Sequence, residues 1–197
     1  MIEFRFFKIR ICLHFSFFAI IAVLMLIDEY KYILWGLYAC MLHECGHLIA
    51  MSMVNAKVSR IAFYGAGIKI VPEQSRILSL GQELFILSGG CLINFISFII
   101  LWFIGKNDDM FQFFAVLNLV TGIFNIIPLK NFDGGKILDL IIEHCFSPSK
   151  TYALKTAVKI ICIALILALS IILFKYNAGN ITFFITIIYF IISTILM

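Results

Sequence analysis

The chain has 197 residues, of which 63% are hydrophobic and 13% charged, and its formal net charge is +4. A mean hydropathy of +1.08 excludes an ordinary soluble globular domain. The small positive charge is explained by the orientation of loops at a membrane, so no nucleic-acid partner is expected. We therefore interpret residues 1–197 as a single domain embedded in the lipid bilayer.

Long apolar runs alternate with short charged segments, which is typical of membrane-spanning helices. The runs predict six spans, at residues 11–27, 33–54, 84–104, 110–128, 156–174 and 180–197. The net-positive segments all fall on one side of the membrane if the N-terminus is cytoplasmic. An even number of spans then places the C-terminus in the cytoplasm as well. No soluble domain is expected after the last span.

The segment between the second and third predicted helices has a different pattern. Residues 58–64 and 68–71 partly alternate between polar and apolar side chains, and Gly65-Ala66-Gly67 lies between them. This pattern predicts a short β-hairpin. The predicted fold class is therefore an all-α polytopic membrane protein with about six transmembrane helices and a short β-hairpin between helices 2 and 3. The hairpin would either pair with an unwound substrate strand or simply connect two helices at the interface, and both interpretations stay open.

The six cysteines do not form the pattern of a disulfide framework. Most of them lie in or at the edges of apolar spans, where cysteine behaves as a small hydrophobic residue. Cys145 lies on the predicted cytoplasmic side, where thiols stay reduced. We expect no structural disulfide.

The sequence His-Glu-Cys-Gly-His occupies positions 43–47, within the second predicted span. Residues four apart lie on one face of a helix, so His43 and His47 can bind one metal ion. Glu44 stands where the H-E-x-x-H metallopeptidases have their general base. Charged and polar groups inside a membrane are costly, and a metal in a water-filled cavity would compensate that cost. A simple pair of histidines hydrogen-bonded across the helix bundle is the alternative.

A zinc peptidase needs a third protein ligand and leaves the fourth position for water. His14, Glu143 and His144 are candidates by residue type, but Asp133 has the most suitable surroundings. Pro128 should end or bend the fourth helix, and the two glycines after Asp133 allow a tight turn. An aspartate on such a broken helix end can reach an ion that another helix holds, because irregular backbone is tolerated where it lines a cavity.

Together these motifs resemble the site-2 protease family of intramembrane zinc metalloproteases. The resemblance rests on residues 43–47 combined with Asn125, Pro128 and the Asp-Gly-Gly sequence at 133–135, each on its own hydrophobic segment. Within the family, the chain is most similar to the sporulation branch, the stage IV protein that processes a membrane-bound pro-sigma factor. Many members of that branch have a C-terminal nucleotide-sensing domain, and we expect neither such a domain here nor control by ATP through it.

The resemblance implies a role for each matching residue. His43, His47 and Asp133 would bind Zn²⁺, Glu44 would activate the attacking water, and Asn125 would bind substrate or stabilise the developing oxyanion. Gly90 and Asn94 fit a looser family motif in the third span, and we assign no chemical role to Asn94. Cys91 stands where the family usually has proline, and it receives no role either.

The predicted function is therefore that of a zinc-dependent intramembrane endopeptidase. Its substrate would be a single-span membrane protein of the pro-sigma or anti-sigma factor type, and membrane regulators are possible partners. The alternatives are a polytopic metal transporter, because intramembrane His, Glu and Asp mark ion pathways, and a catalytically inactive binding protein with the same site. Retention of Glu44 argues against the inactive protein.

Overall fold

A computed structural model describes residues 1–6, 9–27, 32–65, 67–73, 77–129 and 132–176. The chain divides into two compact units, residues 1–124 and residues 125–197. In chain order, the elements are β1 Ile2–Phe6, β2 Ile9–Leu13, α1 Phe15–Ile27, α2 Tyr32–Met53, β3 Val58–Tyr64, β4 Gly67–Pro72, α3 Leu80–Ile104, α4 Asp109–Ile126, α5 Asp133–Cys145 and α6 Pro148–Tyr176.

The structure is mostly helical, and three of the described helices are long and apolar enough to cross a membrane. These are α2, α3 and α4, which correspond to the second, third and fourth predicted spans. The predicted fifth span falls within α6. The predicted sixth span, at 180–197, lies outside the described residues. Six transmembrane helices therefore remain a prediction.

The first predicted span was placed wrongly at its beginning. The prediction started a helix at residue 11, but residues 9–13 form strand β2 and the helix begins at Phe15. The 13 residues of α1 rise about 20 Å, which is shorter than a hydrocarbon core of about 30 Å. The apolar run is continuous from strand to helix, so hydropathy alone could not separate the two.

The predicted hairpin is confirmed, since β3 and β4 pair in antiparallel register. The hairpin contributes two of the four strands of a larger sheet. The four strands are arranged in the order β1-β2-β3-β4, with β1 antiparallel to β2 and β2 parallel to β3. The all-α description was wrong in this respect. The N-terminal strands were missed because the alternation in residues 2–6 was interpreted only as a basic segment.

In the first unit, α2 packs against α3 at a point where both helices have glycine. A Cβ atom added to Gly46 would collide with the backbone of Gly89, and one added to Gly89 would lie 2.6 Å from the Gly46 carbonyl oxygen. Small residues at such a crossing let two backbones approach closely, as is common between membrane helices. This close approach brings residues 43–47 of α2 directly against residues 86–94 of α3.

In the second unit, the chain turns sharply between α4 and α5. Helix α4 ends at Ile126, two residues before Pro128, as the sequence predicted. A Cβ atom on Gly134 would collide with the Ile126 carbonyl group, so only glycine fits there. The polar segment that follows is a helix, α5, and Lys155 of α6 binds its Asp139 and Glu143 carboxylates at 2.9 and 2.7 Å.

Candidate metal centre

The two histidines of α2 are directed towards each other. His43 and His47 are buried, and their Nε2 atoms lie 3.2 Å apart. Their helical spacing of four residues puts both rings on the side of α2 that faces α3, with the ring planes nearly perpendicular. Two imidazole nitrogens therefore meet at one point, as the sequence predicted.

The other ring nitrogen of each histidine has a fixed acceptor on α3. His43 Nδ1 lies 2.8 Å from Asn94 Oδ1, and His47 Nδ1 lies 2.8 Å from the Ile86 carbonyl oxygen. An amide or carbonyl oxygen only accepts hydrogen bonds, so each Nδ1 carries the proton. In the neutral rings, each Nε2 atom then carries a lone pair and no proton. This tautomer is the one that metal-binding histidines adopt.

Asn94 is held in place by a second asparagine. Both side chains are fully buried, at 0% exposure, in the middle of apolar helices. Asn94 Nδ2 donates to Asn118 Oδ1 at 2.9 Å and to the Ala39 carbonyl oxygen at 3.2 Å. Asn118 Nδ2 donates in turn to the Phe114 carbonyl oxygen at 2.9 Å. Because these partners fix the orientation of both amides, Asn94 Oδ1 must face His43.

The spacing of the two Nε2 atoms fits a divalent metal ion. Two nitrogens about 2.0–2.1 Å from one tetrahedral ion are about 3.3 Å apart, close to the 3.2 Å observed. Gly90 lies beside them, and a Cβ atom added to it would be 2.6 Å from both Nε2 atoms. Glycine at this position therefore leaves a cradle that a methyl group would fill.

Two further side chains of the first unit belong to this region. Glu44 is half-buried on α2, next to the first histidine in sequence. Cys91 is buried, and its sulfur lies within 4.8 Å of a ring nitrogen of His43. The prediction gave Cys91 no role, yet this distance makes its thiol a candidate for contact with a bound ion. In the described structure, the six cysteines form no disulfide with one another.

Asp133 and Asn125 lie in the second unit. Asp133 is 3% exposed and is the first residue of α5, where its carboxylate accepts a hydrogen bond from Lys136 Nζ at 2.9 Å. Carboxylates are favourable in the first turn of a helix because they interact with its positive end. Asn125 is half-buried at the end of α4. Their assignment as ligand and as catalytic residue stays a prediction.

The remaining histidines have other surroundings. The His14 ring stacks on Tyr64 with 4.1 Å between ring centroids, and its backbone N–H donates to the Phe63 carbonyl oxygen. His144 is exposed in the last turn of α5. Sequence reasoning missed the contributions of Asn94 and Asn118. Their presence within apolar segments was the available signal, because such amides need buried partners.

Known proteins resemble this chain in sequence and in fold. Residues 104–169 match the model of peptidase family M50. Over 148 residues, the chain is 32% identical to the zinc metalloprotease MJ0392 of Methanocaldococcus jannaschii. These likenesses support a zinc metallopeptidase. The match covers 71% of this chain and 41% of that relative, so the chain spans about two fifths of its length.

The fold also matches a solved structure. The site-2 protease from Methanocaldococcus jannaschii superimposes with a TM-score of 0.64 at 22% identity, covering 98% of this chain and 93% of the solved one. At this identity the likeness establishes the fold. A membrane-embedded fold agrees with the three long apolar helices. The likeness to the sporulation branch stays a prediction.

Proposed function

We propose that the chain is an intramembrane zinc endopeptidase that cleaves a membrane-bound substrate within or near its transmembrane segment. One observation carries the proposal: the His43 and His47 Nε2 atoms lie 3.2 Å apart, with both Nδ1 protons held by acceptors on α3. A pair of histidines that served only helix packing would not need both Nε2 atoms directed at one point.

His43 and His47 would hold the zinc ion, with Asp133 as the third ligand. Burial of Asp133 supports this assignment, because a buried carboxylate is stabilised by a cation and zinc could replace Lys136 in that role. Zinc in such a site polarises the peptide carbonyl and makes water nucleophilic at neutral pH. Ligation by Asp133 would compete with its ion pair to Lys136, whose side chain is 51% exposed and free to move into solvent.

Glu44 would act as the general base and acid. It follows the first histidine, and half-burial leaves its carboxylate accessible to water. It would take a proton from the attacking water and later give it to the leaving amine. Asn125, at the end of α4, would donate its amide N–H to the carbonyl oxygen of the substrate as negative charge develops there.

A helical substrate must unwind before cleavage, because its carbonyl groups are otherwise hydrogen-bonded within the helix. Strand β4 is an edge of the sheet, and in the described part of the chain no other strand pairs with its outer side. An unwound substrate segment could add to this edge through backbone hydrogen bonds. We propose a single-span protein of the pro-sigma or anti-sigma factor type as substrate, with both termini of the enzyme in the cytoplasm.

The experiment is co-expression of a single-span substrate with the Glu44→Gln variant. The variant should lose cleavage while the purified protein still binds zinc, because the amide cannot accept the proton but does not disturb the histidines. Asp109→Asn, at the exposed first residue of α4, makes the same carboxylate-to-amide change and is a control that should leave cleavage unchanged.

Other outcomes would contradict the proposal in distinct ways. Cleavage by the Glu44→Gln variant would show that the assigned base is wrong. Zinc flux into liposomes without any cleavage would indicate the transporter. Zinc binding by the unsubstituted chain with neither flux nor cleavage of any tested membrane substrate would indicate the inactive binding protein.

A further inference from the structure

The four-stranded sheet has two chemically different faces. In its strand register, Phe4 pairs with Ile11, Ile11 with Ile61, and Ile61 with Ile70. The neighbouring row on the same face is also apolar and consists of Ile2, Leu13, Phe63 and Ile68. Residues directly opposite each other in a sheet point to the same side. One face is therefore an uninterrupted apolar surface.

The opposite face carries a row of arginines. Arg5 pairs with Arg10 across β1 and β2, and Arg10 pairs with Arg60 across β2 and β3. The adjacent row of this face ends in Lys69, which pairs with Ala62. Glu3 is the acidic residue of these rows, and it accepts a hydrogen bond from Cys12 at 3.5 Å. Like charges directly opposite each other destabilise a sheet, so an anion bound to this row would stabilise it.

Glu3, the acidic residue described on this face, is hydrogen-bonded to Cys12 and forms no ion pair with the three arginines. Within the part of the chain that the structure describes, the side chains of Arg5, Arg10 and Arg60 form no hydrogen bond or ion pair. The small residues of the same face, Cys12 and Ala62, are buried. The surface of this face is therefore formed by its long cationic side chains, of which Arg5 and Arg10 are exposed.

The apolar face indicates where the sheet lies. Its β3 end is covered by α1, where the Phe17 and Phe63 rings pack edge to face at 5.3 Å. Its β1 end is open, with Ile2 and Phe6 each 60% exposed and Phe4 46% exposed. A surface of this kind is stable when it sinks into the boundary between lipid headgroups and acyl chains. The opposite face then lies at the level of the lipid phosphates.

We propose that the row Arg5–Arg10–Arg60 is a binding site for the phosphate group of an anionic phospholipid. Guanidinium groups are suited to phosphate because their planar N–H groups donate in pairs. A phosphate between neighbouring arginines would relieve their repulsion and anchor the sheet at the membrane surface. A water-soluble acidic peptide is the less suitable ligand, because it would leave the apolar face unexplained. This inference is independent of the peptidase activity.

The test compares lipid binding by the full chain and two charge-matched variants in a neutral detergent. One variant is Arg5→Gln/Arg10→Gln/Arg60→Gln, and the control is Lys106→Gln/Lys150→Gln/Lys159→Gln, which removes equal charge outside the sheet. Binding of phosphatidylglycerol and phosphatidylcholine is measured by native mass spectrometry, together with the melting temperature. Affinity for phosphatidylglycerol should fall about a hundred-fold in the arginine variant, and the control should keep the affinity of the unsubstituted chain.

Equal affinity of the arginine variant and the unsubstituted chain for phosphatidylglycerol would overturn the proposal. So would equal stabilisation by inorganic phosphate, or stabilisation by a polyglutamate peptide where phosphatidylglycerol gives none. If the arginine variant does not fold, phosphatidylglycerol binding by the unsubstituted chain is measured at increasing NaCl concentration, and this result tests the proposal instead. Lipid affinity should then fall steeply between low and high NaCl, because exposed charges are screened, and a flat response would contradict the site.

Discussion

The two places that contribute candidate metal ligands are built in different ways. The histidines lie within a helix pair, and acceptors on α3 hold the Nδ1 atom of each ring. Asp133 begins a helix after a sharp turn, and it is paired with Lys136, a half-exposed side chain of the same helix. The comparison indicates that the imidazoles are oriented before any metal binds. The carboxylate instead has a local cation that a metal ion could replace.

The largest effect should follow from filling the cradle beside the histidines. In a Gly90→Ala variant, the new methyl group would lie 2.6 Å from both Nε2 atoms and occupy the space for the ion. Zinc measured by atomic absorption on the purified protein should be nearly absent, and cleavage should be lost with it. Gly81→Ala is a matched control on the same helix, because a Cβ atom there meets nothing within 4 Å. Full zinc content in Gly90→Ala would rule out this position for the metal.

The second effect tests whether the buried amides matter to the histidines. Asn94→Leu removes the acceptor for His43 Nδ1 and also leaves Asn118 Oδ1 without its donor. Zinc affinity should fall about 10–100-fold, as for other groups that orient metal ligands. Competition with a chelator gives the affinity. Asn94→Asp keeps an acceptor for the imidazole and should recover part of the loss, whereas equal losses would argue against an orienting role.

The third effect concerns Asp133, the candidate ligand at the start of α5. Asp133→Asn should weaken zinc retention more than Asp139→Asn, because Asp139 is occupied by Lys155 at 2.9 Å. Both substitutions remove one negative charge from α5, so overall charge is matched. Zinc retained after dialysis against a chelator distinguishes them. Identical retention would remove Asp133 from the ligand set.

The smallest effect should come from the ion pairs between α5 and α6. The carboxylates of Glu143 and Asp139 raise the pKa of Lys155. The charged form is favoured in the folded state, so this stabilisation is full below the unfolded pKa of about 10.4 and is lost as pH rises through the folded value. Lys155→Met should lower stability by at most about 1 kcal/mol at neutral pH.

Thermal melts of both proteins at pH 7 and pH 11 check this prediction. The difference in melting temperature between the two proteins should shrink at the higher pH. A difference that grows with pH would contradict the assignment of the stabilisation to these ion pairs.

The sequence predicted those parts of the molecule that depend on local spacing. The histidine pair, the end of α4 before Pro128 and the hairpin of β3 with β4 all follow from residues close together in the chain. The pairing of β2 with β3 joins residues about fifty positions apart, and the local sequence pattern does not predict it. The link from Asn118 through Asn94 to His43 depends likewise on how three helices pack. Helix α5 was missed because its charged residues resembled a loop.

Zinc K-edge X-ray absorption on the purified, zinc-loaded chain tests the central claim most directly. The account predicts two imidazole nitrogens at about 2.0–2.1 Å with oxygen completing the shell, and loss of the imidazole signal in a His43→Ala/His47→Ala variant. A sulfur neighbour at about 2.3 Å would instead place Cys91 in the shell. A spectrum with no imidazole contribution, or a chain that takes up no zinc, would contradict the account.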